Sequence, residues 1–128
     1  MICNAPAFKN LKHFTTLKPA DSSVSTWIEA FAESECTSLK GFNVFDTSPS
    51  VFKIDKNVFL KFFKAQPDNF IMNFQMYEET KPDRVADVLK DLFGKHFERG
   101  EVDYSRKKKI INIRLKTNLR FGYTLRDD

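Results

Sequence analysis

Hydrophobic residues along this chain recur with two periods, and the switch between them predicts its elements. Val24, Trp27, Ile28 and Phe31 fall at i, i+3, i+4 and i+7, one face of a helix that ends near Ser34. Asp21-Ser22-Ser23 supplies side-chain oxygens to cap its first amides. Leu39 to Phe45 reads as a strand, Thr47-Ser48-Pro49-Ser50 as a turn, and Val51 to Ile54 as the return strand of a hairpin. Asp55 then caps a short helix with Val58, Phe59, Phe62 and Phe63 on its buried side. Gln66-Pro67 ends it, because a residue before proline resists the helical region.

Phe70 to Tyr77 alternates apolar and polar positions, the mark of a half-buried strand. Pro82 suits a first helical turn, and Val85, Val88, Leu89, Leu92 and Phe93 trace the face of the following helix. Asp83 complements its positive end, Lys95 and Arg99 its negative end, and Gly100 is placed to cap it. Strand, helix and strand from Phe70 to about Leu115 suggest a βαβ crossover, right-handed if the strands are parallel. The pattern leaves parallel and antiparallel pairing open. At the start of the chain, Phe8, Leu11, Phe14 and Leu17 recur every third residue and predict a short irregular helix, or a segment lying on the core, stopped by Pro19.

Lys108 to Leu115 and Leu119 to Arg126 both alternate and form a terminal hairpin. A three-residue loop, Lys116-Thr117-Asn118, pairs Leu115 with Leu119 and keeps both apolar rows on one face, with Asn118 in the left-handed position. A two-residue turn would instead set Lys116 against Leu119. The preferred register places Arg114 opposite Arg120 and Lys108 opposite Arg126. Like charges directly across a strand pair are destabilising, so such a face asks for a reason.

The expected fold class is therefore α+β. A single domain spans residues 1–128, its segment 1–20 the least determined. It has a mixed or antiparallel sheet of about four to five strands, packed by two to three helices and ending in a β-hairpin. Fourteen phenylalanines in 128 residues give a core of large buried area. The chain shows no internal repeat.

Charge sharpens the picture. The chain carries 21 Lys and Arg against 17 Asp and Glu, a net of +4. All of that excess lies in residues 101–128, with eight bases against four acids, and no acid falls between Ser105 and Arg126. A field concentrated in one element attracts an anionic partner. The expected function is accordingly nucleic-acid binding without catalysis, RNA or DNA being held by its phosphates. Lys108, Arg114, Lys116, Arg120 and Arg126 are the main contacts, and Arg106, Lys107 and Lys109 helpers. Against it stands a solvated, charge-guarded sheet face, with Glu78, Glu79, Asp127 and Asp128 as internal neutralisers. The alternative function is a protein-interaction or inhibitory module that docks an acidic partner through the basic face or a Phe-rich patch.

A metal-independent RNase is the lesser alternative, its groups drawn from His13, His96, Glu98 and Tyr104. Nucleophile elbow, phosphate-cradling glycine loop and HExxH motif are all missing. Two cysteines and two histidines make no zinc set, and Asp83, Asp87 and Asp91 read as a solvated helix face. No cofactor or metal is expected. With no secretory lead and no long apolar run, a cytoplasmic protein with reduced thiols and no membrane contact is expected.

Overall fold

A computed structural model describes residues 10–20, 22–77, 80–100, 108–116 and 119–125, with the backbone alone at Lys116 and Leu119. Chain order is β1 (His13–Leu17), α1 (Ser23–Glu33), β2 (Gly41–Thr47), a 3-10 turn (Pro49–Phe52), α2 (Lys56–Ala65), β3 (Ile71–Met76), α3 (Pro82–Phe93), β4 (Phe97–Gly100), β5 (Ile110–Lys116) and β6 (Leu119–Leu125). The six strands form one sheet in the order β1-β2-β3-β5-β6-β4. The first four in that order are mutually parallel, and β6 runs antiparallel to both β5 and β4. The α+β class holds, and β3, α3 and β5 make the crossover the sequence suggested.

The helices are the most local elements and follow their sequence signals. The Asp55 carboxylate accepts from the amides of Asn57 (2.9 Å) and Val58 (3.0 Å), capping α2. Replacing Asp55 by alanine leaves both amides to water and is expected to cost about 0.5–2 kcal/mol, read as a lower urea midpoint at unchanged slope. Gln66 is extended, as its following proline requires. Its buried side chain accepts from the Leu39 amide and donates to the carbonyls of Cys36 and Phe62, tying the α1–β2 connection to the end of α2. In α1 the Ser22 side chain makes no capping bond. The helix ends instead on Glu35 at φ 56°, with the Cys36 amide donating back to the Phe31 carbonyl at 3.0 Å.

Four expectations change. Residues 13–17 are an edge strand and not an irregular helix: Phe14 turns inward while Leu17 points out, 66% exposed. The other alternative, a segment lying on the core, fits Leu11 and Phe14, which both pack against it, and fails at Leu17. Residues 51–54 are not a return strand. Pro49 and a Ser48 side chain that accepts from the Ser50 amide start a 3-10 turn, which delivers Val51 and Phe52 to the core and leaves β2 free to pair parallel with β3. Helix α3 ends at Gly94, whose φ of 52° suits glycine, and not at Gly100. The chain then forms β4, which lets Phe97 join the core. The strand count is thus six rather than four or five, the additions being β1 and β4.

The fourth change is at the hairpin end. Ile111↔Tyr123, Ile113↔Phe121 and Arg114↔Arg120 follow the expected register, but the last pair is Lys116↔Leu119. An irregularity between Arg114 and Lys116 absorbs the extra residue, so a shorter connection coexists with aligned apolar rows. Residues 117 and 118 lie outside the described set.

All three helices pack on one side of the sheet. Phe14 on β1 touches Trp27 and Phe31 of α1, Phe42 on β2 meets Phe62 of α2, and Phe93 of α3 meets Tyr123 on β6. Of the thirteen described phenylalanines, eleven are buried and the other two, Phe14 and Phe45, are half-buried. Among the described residues no exposed Phe is left to form a docking patch. The Val58–Phe63 segment lies against the core and lines a shallow cleft of ≈ 210 Å³ beside Gly94 and His96.

Candidate functional site

One face of the sheet is filled by helices; no described helix or strand packs on the other. Side chains alternate across a strand, so register alone assigns the open face. Its middle row is Thr15, Asn43, Asn73 and Asn112, each aligned with the next. Toward the carboxyl ends of the parallel strands lies a second row, in which Leu17 pairs with Phe45, Gln75 with Arg114, and Arg114 with Arg120.

The middle row is a hydrogen-bonded ladder. Asn112 Nδ2 donates to Asn73 Oδ1 (3.1 Å), Asn73 Nδ2 to Asn43 Oδ1 (2.8 Å), and Asn43 Nδ2 to Thr15 Oγ1 (3.3 Å). Every amide points its N–H toward β1, so the dipoles add and each bond polarises the next. The four residues sit 28, 30 and 39 positions apart, one per strand. The structure therefore contains a repeated β-loop-α unit where the sequence showed no repeat. A trace of it was legible. Phe42-Asn43-Val44, Met72-Asn73-Phe74 and Ile111-Asn112-Ile113 each set an asparagine, depleted in strands, between two core residues.

Arg114 and Arg120 stand directly across the β5–β6 pair, as expected. Arg114 is half-exposed and Arg120 exposed. Neither makes an ion pair with a described residue; the described bridges, Lys18–Asp46 at 3.6 Å and Lys56–Asp91 at 3.8 Å, lie elsewhere and are exposed. The facing arginines thus cost roughly a few tenths of a kcal/mol with no intramolecular return among the described residues.

Of the other described candidate cations, Lys108 and Lys109 lie away from the pair and Lys116 lies next to it. Lys108 precedes β5, about 20 Å along the strand from Arg114. Lys109 does not share the arginine face. Its Nζ donates to the Lys64 carbonyl at 2.6 Å, closing the last turn of α2, where a cation suits the helix's negative end. Burial pushes the Lys109 pKa down, opposed by Asp68 and reinforced by Lys64. Lys116 pairs with Leu119 beside the arginines through its backbone. Arg106, Lys107 and Arg126 lie outside the described residues, as do the acids named as neutralisers, Glu78, Glu79, Asp127 and Asp128.

Groups named for catalysis are not assembled. His13 is on β1 and Glu98 on β4, at opposite edges of a six-stranded sheet, while His96 sits in the turn after α3. Tyr104 lies outside the described residues. Among the described residues no three His, Cys, Asp or Glu come together as a metal site, and Asp91 of the α3 series pairs with Lys56. No described helix is long and apolar enough to cross a membrane. The parallel strands advance in one direction, β1-β2-β3-β5, with all helices on one side. They form no point where neighbouring crossovers diverge to open the crevice that holds a nucleotide in doubly wound sheets. Scans against protein-family models, curated proteins and solved structures found nothing that matches this chain.

Proposed function

We propose that this protein is a non-catalytic nucleic-acid-binding protein that takes phosphates on the open face of its sheet. The observation that carries the reading is the Arg114–Arg120 pair: two cations held face to face on the side of the sheet that no described helix covers, without a described carboxylate partner. Backbone phosphates, one at each arginine, turn a repulsive pair into two charge-assisted contacts and release condensed counterions. Lys116 pairs with Leu119 next to them in the sheet, and Lys108, Arg106, Lys107 and Arg126 are proposed as further contacts along the phosphate backbone. Lys109 is assigned to the α2 terminus instead. The setting is cytoplasmic, consistent with Cys36 as a buried free thiol.

A protein partner is the second reading. Leu17, 66% exposed, and its half-buried neighbour Phe45 extend the arginine row with apolar surface, which suits an acidic partner with an apolar edge.

The test is binding of random-sequence RNA and DNA at low salt, followed as salt rises. Two phosphates neutralised give a slope of log K against log salt of about −1.4 to −1.8, steeper if the flanking cations join. No retention at low salt, or retention indifferent to salt, rejects nucleic acid and leaves the protein partner as the better reading.

A further inference from the structure

The asparagine ladder narrows the ligand, an inference that rests on the nucleic-acid reading above. Asn43 and Asn73 each donate one N–H toward β1 and each accept one N–H from the opposite side. A carboxamide has two hydrogens on nitrogen and two lone pairs on oxygen. Each of these residues therefore keeps one N–H and one lone pair, side by side on the amide edge turned away from the sheet. That donor–acceptor fork pairs with adenine N6 and N7, and equally with any base edge that sets a donor beside an acceptor, as the exposed edges of unpaired cytosine, uracil and guanine do. The ladder fixes its orientation in advance, so binding loses little side-chain freedom.

Spacing decides between single strand and duplex. Neighbouring strands, and hence neighbouring forks, are about 4.8 Å apart. Stacked bases rise about 3.4 Å along a strand. Two successive bases can meet Asn43 and Asn73 only if they are unstacked, as an unpaired strand allows. A sheet face this wide is also not the two-stranded ribbon that enters a major groove. Charge complementarity sets the other half of the ligand: Arg114 lies two residues beyond Asn112 on β5, about 7 Å along the strand, with Arg120 beside it. We infer that the open face binds single-stranded nucleic acid running across the strands, its base edges on the Asn43 and Asn73 forks and its backbone on the row of Gln75, Arg114 and Arg120.

The test compares oligo-A, oligo-U and a duplex of equal length by fluorescence anisotropy at low salt, using the wild type, Asn73→Ala and Asn43→Thr. Threonine at 43 keeps a hydroxyl that accepts from Asn73 and donates to Thr15, as Thr15 itself shows the row tolerates, so this variant retains the fold while losing the fork. Oligo-U, whose bases need no unstacking, is expected to bind at least about tenfold more tightly than the duplex, with oligo-A between them. Asn43→Thr and Asn73→Ala are each expected to weaken single-strand binding at least about fivefold while the salt slope, set by the phosphate contacts, is kept. A duplex bound as tightly as oligo-U, or an unchanged single-strand affinity in a folded Asn43→Thr protein, overturns the inference and leaves phosphate binding standing. A wild type that binds none of the three rejects the underlying reading as well.

Discussion

Phe42→Ala is expected to remove about 3–5 kcal/mol of folding stability, a large share of what a domain of this size has. Phe42 is 0% exposed and sits where two helices meet the sheet: its ring lies 4.9 Å from Phe14, 5.9 Å from Phe62, 6.2 Å from Phe31 and 6.4 Å from Phe74. Truncation removes the transfer energy of a benzyl group and opens a cavity bounded by rings from β1, α1, α2 and β3. None of these collapses inward without moving its whole element. Such losses run at about 3–5 kcal/mol, and a domain of this size has only about 5–15 kcal/mol in total. Urea titration should show the midpoint fall to a half or less of the wild-type value, with the slope kept. A loss below about 1 kcal/mol would mean that the aromatic cluster repacks freely and does not organise the sheet.

That cluster also explains which parts of the fold were legible. Helices α2 and α3 announce themselves because their signals are local: Asp55 before the Phe59, Phe62 and Phe63 face, Pro82 before Val85, Leu89 and Leu92. The β5–β6 register was legible because matching Ile111 and Ile113 with Tyr123 and Phe121 leaves one solution for most of the pair. Its last step failed, since nothing local marks the irregularity after Arg114. β1 and β4 were missed because an edge strand buries only one or two side chains, Phe14 in one and Phe97 in the other, too few to set a period. The ladder was invisible as a ladder. Asn43, Asn73 and Asn112 are brought together only by parallel pairing across two helical crossovers, and no local pattern states which strands will be neighbours. Alternation did separate Lys109 from Arg114, because residues 109 and 114 differ in parity along β5. Counting cations by proximity in sequence blurred that distinction. The candidate site was thus half readable: its charged pair from the hairpin alone, its amide row only from the assembled sheet.

Reversing one charge of that pair should move stability and binding in opposite directions. In the wild type Arg114 faces Arg120 across the strands, a repulsive pair. Arg114→Glu makes it an opposite-charge pair, so the variant should gain about 0.5–1 kcal/mol, a rise in Tm of about 2–4 °C for a chain of this length. The same change removes one phosphate contact, places a carboxylate where the backbone would lie, and engages Arg120 internally. Loss of a charge-assisted bond of about 1.5–3 kcal/mol, with repulsion added, predicts a fall in nucleic-acid affinity of at least about thirtyfold at low salt. The salt slope should flatten by about 1.4–1.8, because both arginines leave the phosphates. An ordinary surface position gives no such opposition: its reversal shifts stability by a few tenths of a kcal/mol and leaves binding alone. A variant more stable than wild type with undiminished affinity would show that the arginine pair is a solvated surface feature and not the phosphate site. A variant less stable than wild type would show that Arg114 has a partner within the fold that its neighbours on β3 and β6 do not reveal.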